Sequence, residues 1–207
     1  MNRLFTYFVF AAAAGLLLAG CYPAGPDYTE DLDAVYTVYD QQYDFVSKST
    51  YAMPDQIVTD VQITNGGDTI YEYMKPVYAD QILDRIDANM AALGWTKVDV
   101  SADPDVLLMP AGLSSTTYFY DYWYGWWYGG YWGYWGWYYP PYYTVSSYTT
   151  GSMIIAMADP NIDSPINRSP AIWLGVANGL LTSGGNITRA LDGVDQAFEQ
   201  SPYLKTN

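Results

Sequence analysis

The chain has 207 residues, with 22 Asp and Glu against 8 Lys and Arg, no histidine and a single cysteine. An acidic balance of this size repels polyanions and argues against nucleic acid as a partner. The missing histidine removes the usual base at neutral pH and the commonest metal ligand, and one cysteine cannot build a disulfide framework.

Met1-Asn2-Arg3 opens a leader that runs apolar from Leu4 to Leu18. A basic start and a short apolar run read as a secretory signal, too short to span a bilayer comfortably. The leader ends in Leu18-Ala19-Gly20-Cys21, which matches the bacterial lipobox. Cleavage before Cys21 and diacylation of its thiol are therefore expected. Two acyl chains hold a protein stably at a membrane, where one holds it only reversibly. Loss of Arg3 with the leader leaves 7 cations against 22 acids, a net charge of −15. Tyr22 follows the cysteine where an Asp would favour the inner membrane, so the outer membrane is the expected address.

Residues 22–33 are rich in Pro, Gly and acids and read as a solvated tether. Residues 34–39 are strand-like, and a second short strand lies near Thr50-Tyr51-Ala52 before Pro54. Asn65-Gly66-Gly67-Asp68 reads as the tip of a hairpin between 58–64 and 69–73. Pro76 then opens a helix in which Ala79, Ile82, Leu83, Ile86, Met90 and Leu93 recur at three- and four-residue steps. Gly94 closes it with a left-handed cap. Residues 95–100 read as a strand, Asp103-Pro104-Asp105 as a turn, and 106–109 as another strand. The second half offers strands at 151–158 and 171–177, separated by the turn Asp159-Pro160-Asn161. A final helix carries Ile187, Ala190, Leu191, Val194, Ala197 and Phe198 on one face and stops at Pro202. Short strands interrupted by two helices predict an α+β fold: an antiparallel-rich sheet with both helices on one face, plus a Tyr/Trp/Gly-rich hairpin or loop insertion.

That insertion is the anomaly of the chain. Between residues 118 and 143, eighteen of twenty-six positions are Tyr, Trp or Phe, and the rest are Gly, Pro and Asp121. Part of it keeps a rhythm of three (Gly130-Tyr131-Trp132, Gly133-Tyr134-Trp135, Gly136-Trp137-Tyr138), which sends rings to both sides of an extended chain rather than to one. A typical monomer exposes an apolar patch of about 300–600 Å² at most, and rings of roughly 150–250 Å² each exceed that quickly. A self-packed loop, contact with the bilayer interface, a stacking platform for sugars and self-association all fit. Tyr120, Trp123, Trp126, Trp127, Trp132, Trp135 and Trp137 are the candidate ligand or interface contacts. With no aliphatic residue between Leu113 and Val145 and Pro140-Pro141 within it, the tract reads as an appendage rather than core.

Catalytic chemistry is hard to assemble. Only carboxylate pairs remain, and Glu30, Asp31, Asp33, Asp103 and Asp105 read as tether and turn. Asp159, Asn161 and Asp163 have the spacing of half a calcium loop. Ser164 stands where that loop needs glycine, and Pro170 where it needs glutamate. No metal and no cofactor are expected.

Several pieces recur in a familiar order. They are the lipobox, Tyr39-Asp40 with Tyr43-Asp44-Phe45, Thr50-Tyr51-Ala52, Leu93-Gly94-Trp95, Asp103-Pro104-Asp105-Val106-Leu107 and the aromatic tract. Gly151-Ser152-Met153-Ile154-Ile155 leading to Asp159, Trp173 with Gly175, and Gln200-Ser201-Pro202-Tyr203-Leu204 complete it. In this order the chain resembles the outer-membrane lipoproteins of the domain-of-unknown-function 4136 family. Family members often carry Asp where this chain has Ala156. The resemblance implies an α+β domain at the outer membrane and brings no activity, ligand or catalytic residue with it.

The sequence thus divides into a lipoprotein signal peptide (1–20), a lipidated tether (21–33) and one α+β domain (34–207) with the aromatic insertion at about 115–148. The expected function is that of a non-enzymatic binding or structural module. It is held at the bacterial outer membrane through acylated Cys21, on the periplasmic or the outer side, and an envelope protein or glycan is its candidate partner. A glycan-binding lipoprotein that uses the aromatic tract is the alternative.

Overall fold

Three adjacent strands of aliphatic residues make the centre of the fold: β6 (Val106–Leu113), β7 (Ser152–Ala158) and β8 (Ala171–Ala177). Every residue of β7 and β8 is buried, the signature of a sheet covered on both faces. The computed structural model describes residues 35–64, 66, 69–113, 151–162, 171–179 and 187–207. Cys21 and the aromatic tract lie outside them.

Among the described residues the sheet has eight strands. Its main path runs β1 (Val35–Tyr39), β8, β7, β6, β2 (Thr50–Ala52), β5 (Thr96–Lys97). The hairpin of β3 (Val58–Ile63) and β4 (Thr69–Tyr73) joins β6 through β3. The pairs β1–β8, β8–β7, β7–β6 and β3–β4 are antiparallel, whereas β2 runs parallel to both β5 and β6 and β3 runs parallel to β6. The result is a mixed, mostly antiparallel sheet. Pro110 sits on β6 between the stretch paired with β2 (Val106, Leu107) and the residue paired with β3 (Ala111), a gap where a missing N–H donor is tolerated.

Among the described residues, two helices pack on one face: α1 (Pro76–Ala92) and α2 (Ile187–Glu199). The predicted stripe of α1 is the buried one, with Ile82, Ile86 and Met90 all at 0 % exposure. Alternation along the strands places Leu108, Met153, Ile155, Met157 and Trp173 beneath them in a single core cluster. Asp195 of α2 ties the helices together by pairing with Arg85 and accepting from Asn89 Nδ2 at 2.8 Å. Glycine sets how closely α2 approaches. A Cβ on Gly175 would sit 2.8 Å from the Trp173 ring and 3.2 Å from Ala197 Cβ.

Three expectations change. The strand foreseen at 95–100 shrinks to Thr96–Lys97, because Asp99 accepts from the Ser101 N–H and caps a 3-10 turn, Val100–Ala102. The strand foreseen at 106–109 continues to Leu113, because residues 110–113 keep pairing with β7. On α2 the fully buried set is Ala190, Gly193, Val194, Ala197 and Phe198, whereas Ile187 and Leu191 are only partly buried at its margin.

Ile86→Ala should therefore destabilise the domain by about 2–5 kcal/mol, as removal of a fully buried aliphatic chain does. Leu191→Ala should cost measurably less, since its side chain already meets water. Urea denaturation of the two variants gives both values. Equal losses would mean that the two positions share one environment.

Candidate functional site

The polar groups that the fold gathers lie at one end of the central strands. Asp40 leaves β1 with its N–H bonded to the Ile172 carbonyl at 2.9 Å. Its side chain accepts from the Gln42 N–H and its carbonyl from the Tyr43 N–H. This turn carries Tyr43 inward against Phe45, with ring centroids 4.8 Å apart and edge to face. Asp159, at the end of β7, meets it there. Its Oδ2 accepts from the Tyr43 hydroxyl at 2.8 Å and from Lys48 Nζ at 2.9 Å, and its Oδ1 accepts from the Asn161 N–H at 2.8 Å. Lys48 Nζ also lies 5.8 Å from the centre of the Tyr43 ring, within cation–π range.

Asp159 is 3 % exposed, so its charge needs every one of these partners. Burial pushes the Tyr43 phenol well above its ordinary range, and the hydrogen bond to Asp159 with nearby carboxylate charge adds to the shift. Tyr43 is thus held protonated as a donor. A second carboxylate, Asp105 at the start of β6, takes the N–H groups of Ser49 and Thr50 and the Thr50 hydroxyl, each at 2.9 Å. Burial alone would raise its pKa. The bonds from Ser49 and Thr50, with the Lys48 charge, outweigh that and hold it below the usual carboxylate range.

Together these groups fasten the 40–50 segment to the ends of β6 and β7. Asp159 offers its oxygens inward, to a phenol, an ammonium and a backbone N–H. They are not arranged around a cation, and Asp163 of the predicted half-loop lies outside the described residues. Among the described residues, no group of three acidic, His or Cys side chains could hold a metal ion. Asp103 has φ 54° and closes the 3-10 turn, while Asp105 binds backbone, so the two carboxylates serve different local tasks. Glu30, Asp31, Asp33, Cys21, Tyr120, Trp123, Trp126, Trp127, Trp132, Trp135 and Trp137 all lie outside the described residues.

Sequence reasoning did not single out Lys48. The available signal was scarcity: with 8 cations against 22 acids, each cation in an apolar context deserved a search for a partner.

The remaining recurrent motifs close the other end of the core. Leu93-Gly94-Trp95 forms a Schellman closure, with Gly94 N–H on the Ala91 carbonyl and Trp95 N–H on the Met90 carbonyl, both at 3.0 Å. Gly94 takes φ 95°, and a Cβ there would strike the Thr206 side chain. Trp95 Nε1 donates to the Leu204 carbonyl at 2.7 Å, and Trp173 Nε1 to Ser201 Oγ at 2.8 Å.

The chain belongs to the family of the domain of unknown function DUF4136, whose pattern matches residues 35–203. A crystal structure of a DUF4136 family protein from Bacteroides thetaiotaomicron is 32% identical, with a TM-score of 0.66, covering 84% of this chain and 97% of that one. A PelC dodecamer from Paraburkholderia phytofirmans is more distant, at 8% identity and a TM-score of 0.41, covering 84% of this chain and 99% of that one. No curated protein matches the chain.

Asp105 gives a pH test. A carboxylate with a lowered folded pKa stabilises fully above its unfolded value of about 3.9, and that contribution is lost as pH falls through the folded value. Asp105→Asn should trail the wild type by a constant margin in urea melts from neutral pH down to about 5. The gap should close as pH falls below the unfolded value of about 3.9 and through the lower folded one. A margin that stays constant to the acid limit would mean that the charge of Asp105 contributes nothing.

Proposed function

We propose that this DUF4136 protein is a lipid-anchored, non-enzymatic binding or structural module of the bacterial outer membrane. The observation that carries the reading is the order of its parts. A basic-then-apolar leader ends in Leu18-Ala19-Gly20-Cys21, and a Pro/Gly/acid-rich stretch then leads into the family's domain, which begins at residue 35. Among the described residues, no helix is long and apolar enough to cross a membrane; in this reading the acyl chains on Cys21 supply the attachment. Tyr43, Asp105, Asp159, Trp95, Trp173 and Ser201 are committed to internal hydrogen bonds. This supports a domain whose polar motifs hold shape and whose contacts with a partner lie elsewhere. The alternative reading is a glycan-binding lipoprotein in which Trp123, Trp126, Trp127, Trp132, Trp135 and Trp137 with Tyr120 stack on sugar rings.

Detergent-phase partitioning of the full chain and of Cys21→Ala tests the anchor. The wild type should enter the detergent phase and the variant the aqueous phase; if both stay aqueous, the anchor reading fails. An array of envelope glycans probed with the acyl-free protein separates the two binding classes. Saturable binding that is lost in Trp132→Ala with Trp135→Ala supports the glycan alternative, and silence across the sugars supports the structural module.

A further inference from the structure

Five large apolar side chains are exposed among the described residues: Val46, Ile70, Tyr73, Val77 and Tyr78. Single apolar residues scattered over a surface are ordinary, whereas a group of them marks a contact. Four of these five fall within nine positions, from the outer hairpin strand β4 to the first turn of α1. Val77 is 62 % exposed, Ile70 50 % and Tyr78 46 %. Helical spacing gives the last turn of this group no core to face. The inner side of α1 is already filled by Ala79, Ile82, Leu83, Ile86 and Met90.

The strand registers place the group at one end of the sheet. Tyr73 pairs with Val58, and Val58 with Ala111 near the close of β6. Ile70 lies three residues further along the hairpin and so projects past Leu113, the last residue of β6. Val35 stands at the same end: it pairs with Ala177, Ala177 with Met153, and Met153 with Gly112. From β1 the path to β4 crosses β8, β7, β6 and β3, which puts the two roughly 24 Å apart at about 4.8 Å per step. α1 leads away from this end. Beyond it, Lys97 pairs with Tyr51 and Tyr51 with Val106, the first residue of β6. Thr206, whose N–H bonds to the Leu93 carbonyl, brings the last residue, Asn207, to that far end as well.

What meets the near end follows from the chain that joins it. On the anchor reading, lipid begins at Cys21, and the fourteen steps from 21 to 35 reach at most about 50 Å. They enter the body at Val35, on the end that carries the exposed group. The group suits a lipid interface. Tyrosine partitions there, and the exposed Lys75 can lay its stem along apolar surface while its ammonium meets the phosphates. From 70 to 78 the charges of Glu72 and Lys75 cancel, in a chain with 22 acids against 8 cations. A second copy would bring its own acidic excess to the contact and be opposed by it. We propose that the β4–α1 junction, with Ile70, Val77 and Tyr78, is the surface on which the anchored domain rests at the lipid interface. The proposal rests on the anchor reading: the acyl chains supply the attachment, and the junction sets which end of an otherwise repelled body turns to the bilayer.

The sole cysteine makes a direct test available, because acylation blocks its thiol and an added cysteine is then the only free one. A nitrobenzoxadiazole label is placed at Ile70→Cys, at Val77→Cys or, at the far end, at Asn207→Cys. Each full, lipidated chain is read on phosphatidylcholine–phosphatidylethanolamine vesicles with and without spin-labelled lipid. The chain should float with the vesicles. The labels at 70 and 77 should shift to the blue and be quenched by the spin-labelled lipid, and the label at 207 should do neither. Flotation with labels at 70 and 77 as water-like as that at 207 overturns the proposal and leaves the anchor standing. A blue shift without quenching means that protein covers the junction, and overturns it too. A chain that does not float fails the anchor reading and takes the proposal with it. Positions this exposed tolerate substitution in a folded domain, which allows a second reading. Val77→Glu with Tyr78→Glu should abolish the quenching at 70 while flotation persists; unchanged quenching would sink the assignment.

Discussion

Two buried indoles hold the end of this chain to its core. Trp95 and Trp173 are 3 % and 1 % exposed, and a buried N–H left without an acceptor costs about 1–3 kcal/mol. Neither indole finds its acceptor in the sheet. Both are served by the segment that follows α2: the Leu204 carbonyl for Trp95 and Ser201 Oγ for Trp173. Ser201 in turn donates to the Ala197 carbonyl at 2.9 Å, and Thr206 N–H bonds to the Leu93 carbonyl at 2.9 Å. The last residues therefore bridge the C-terminal ends of both helices. Tyr203 extends the bridge to β1 by stacking on Tyr39, with ring centroids 3.6 Å apart. The segment after α2 is thus a structural member of the fold.

The same constraint reaches the other end of the sheet through Trp173. Its ring lies over Gly175 and against Phe198, at 5.4 Å between centroids, and Met157 is its partner across the strands. Just beyond, the β7–β8 register shifts between Met157 and Ala158. Ile172 joins the helix-side core while its carbonyl accepts from the Asp40 N–H. That bond starts the turn which delivers Tyr43 and Lys48 to Asp159. A bulge thus does two things: it adds an apolar side chain to the core and starts the turn that leads to the buried carboxylate.

What the sequence made legible follows from the range of the interactions concerned. The Ile82–Ile86–Met90 stripe and the Gly94 closure are local, written within a few residues, and both stand as read. The second half of α2 is also legible, but Leu191 is partly exposed because small residues, Ala190, Gly193 and Ala197, take the closest approach. Tyr43 with Asp159 is a contact across 116 positions, and Lys48 with Asp159 one across 111; no periodicity encodes either. Asp105 reads as an ordinary turn acid until Thr50 is placed beside it by a parallel pairing that no hairpin signal announces. Parallel neighbours come from distant segments, so the β2–β6 edge was invisible for the same reason. Of the candidate contacts, Cys21 and the aromatic residues were legible as residue types, but their partners are not encoded locally.

The charge distribution connects the inside of the domain to its setting. Cations are scarce, and among the described residues Lys48 pairs with Asp159, Lys97 with Asp87 and Arg85 with Asp195. Asp159 is the deeply buried member, where an unpaired carboxylate would be intolerable; the other two pairs are partly exposed and contribute less. With 22 acids against 8 cations in the sequence, the chain as a whole carries a large excess of negative charge. Such a surface is repelled by anionic head groups over roughly 8 Å at physiological ionic strength. Under the proposed anchor, then, attraction to the membrane resides in the acyl chains while the body is held off by its own field.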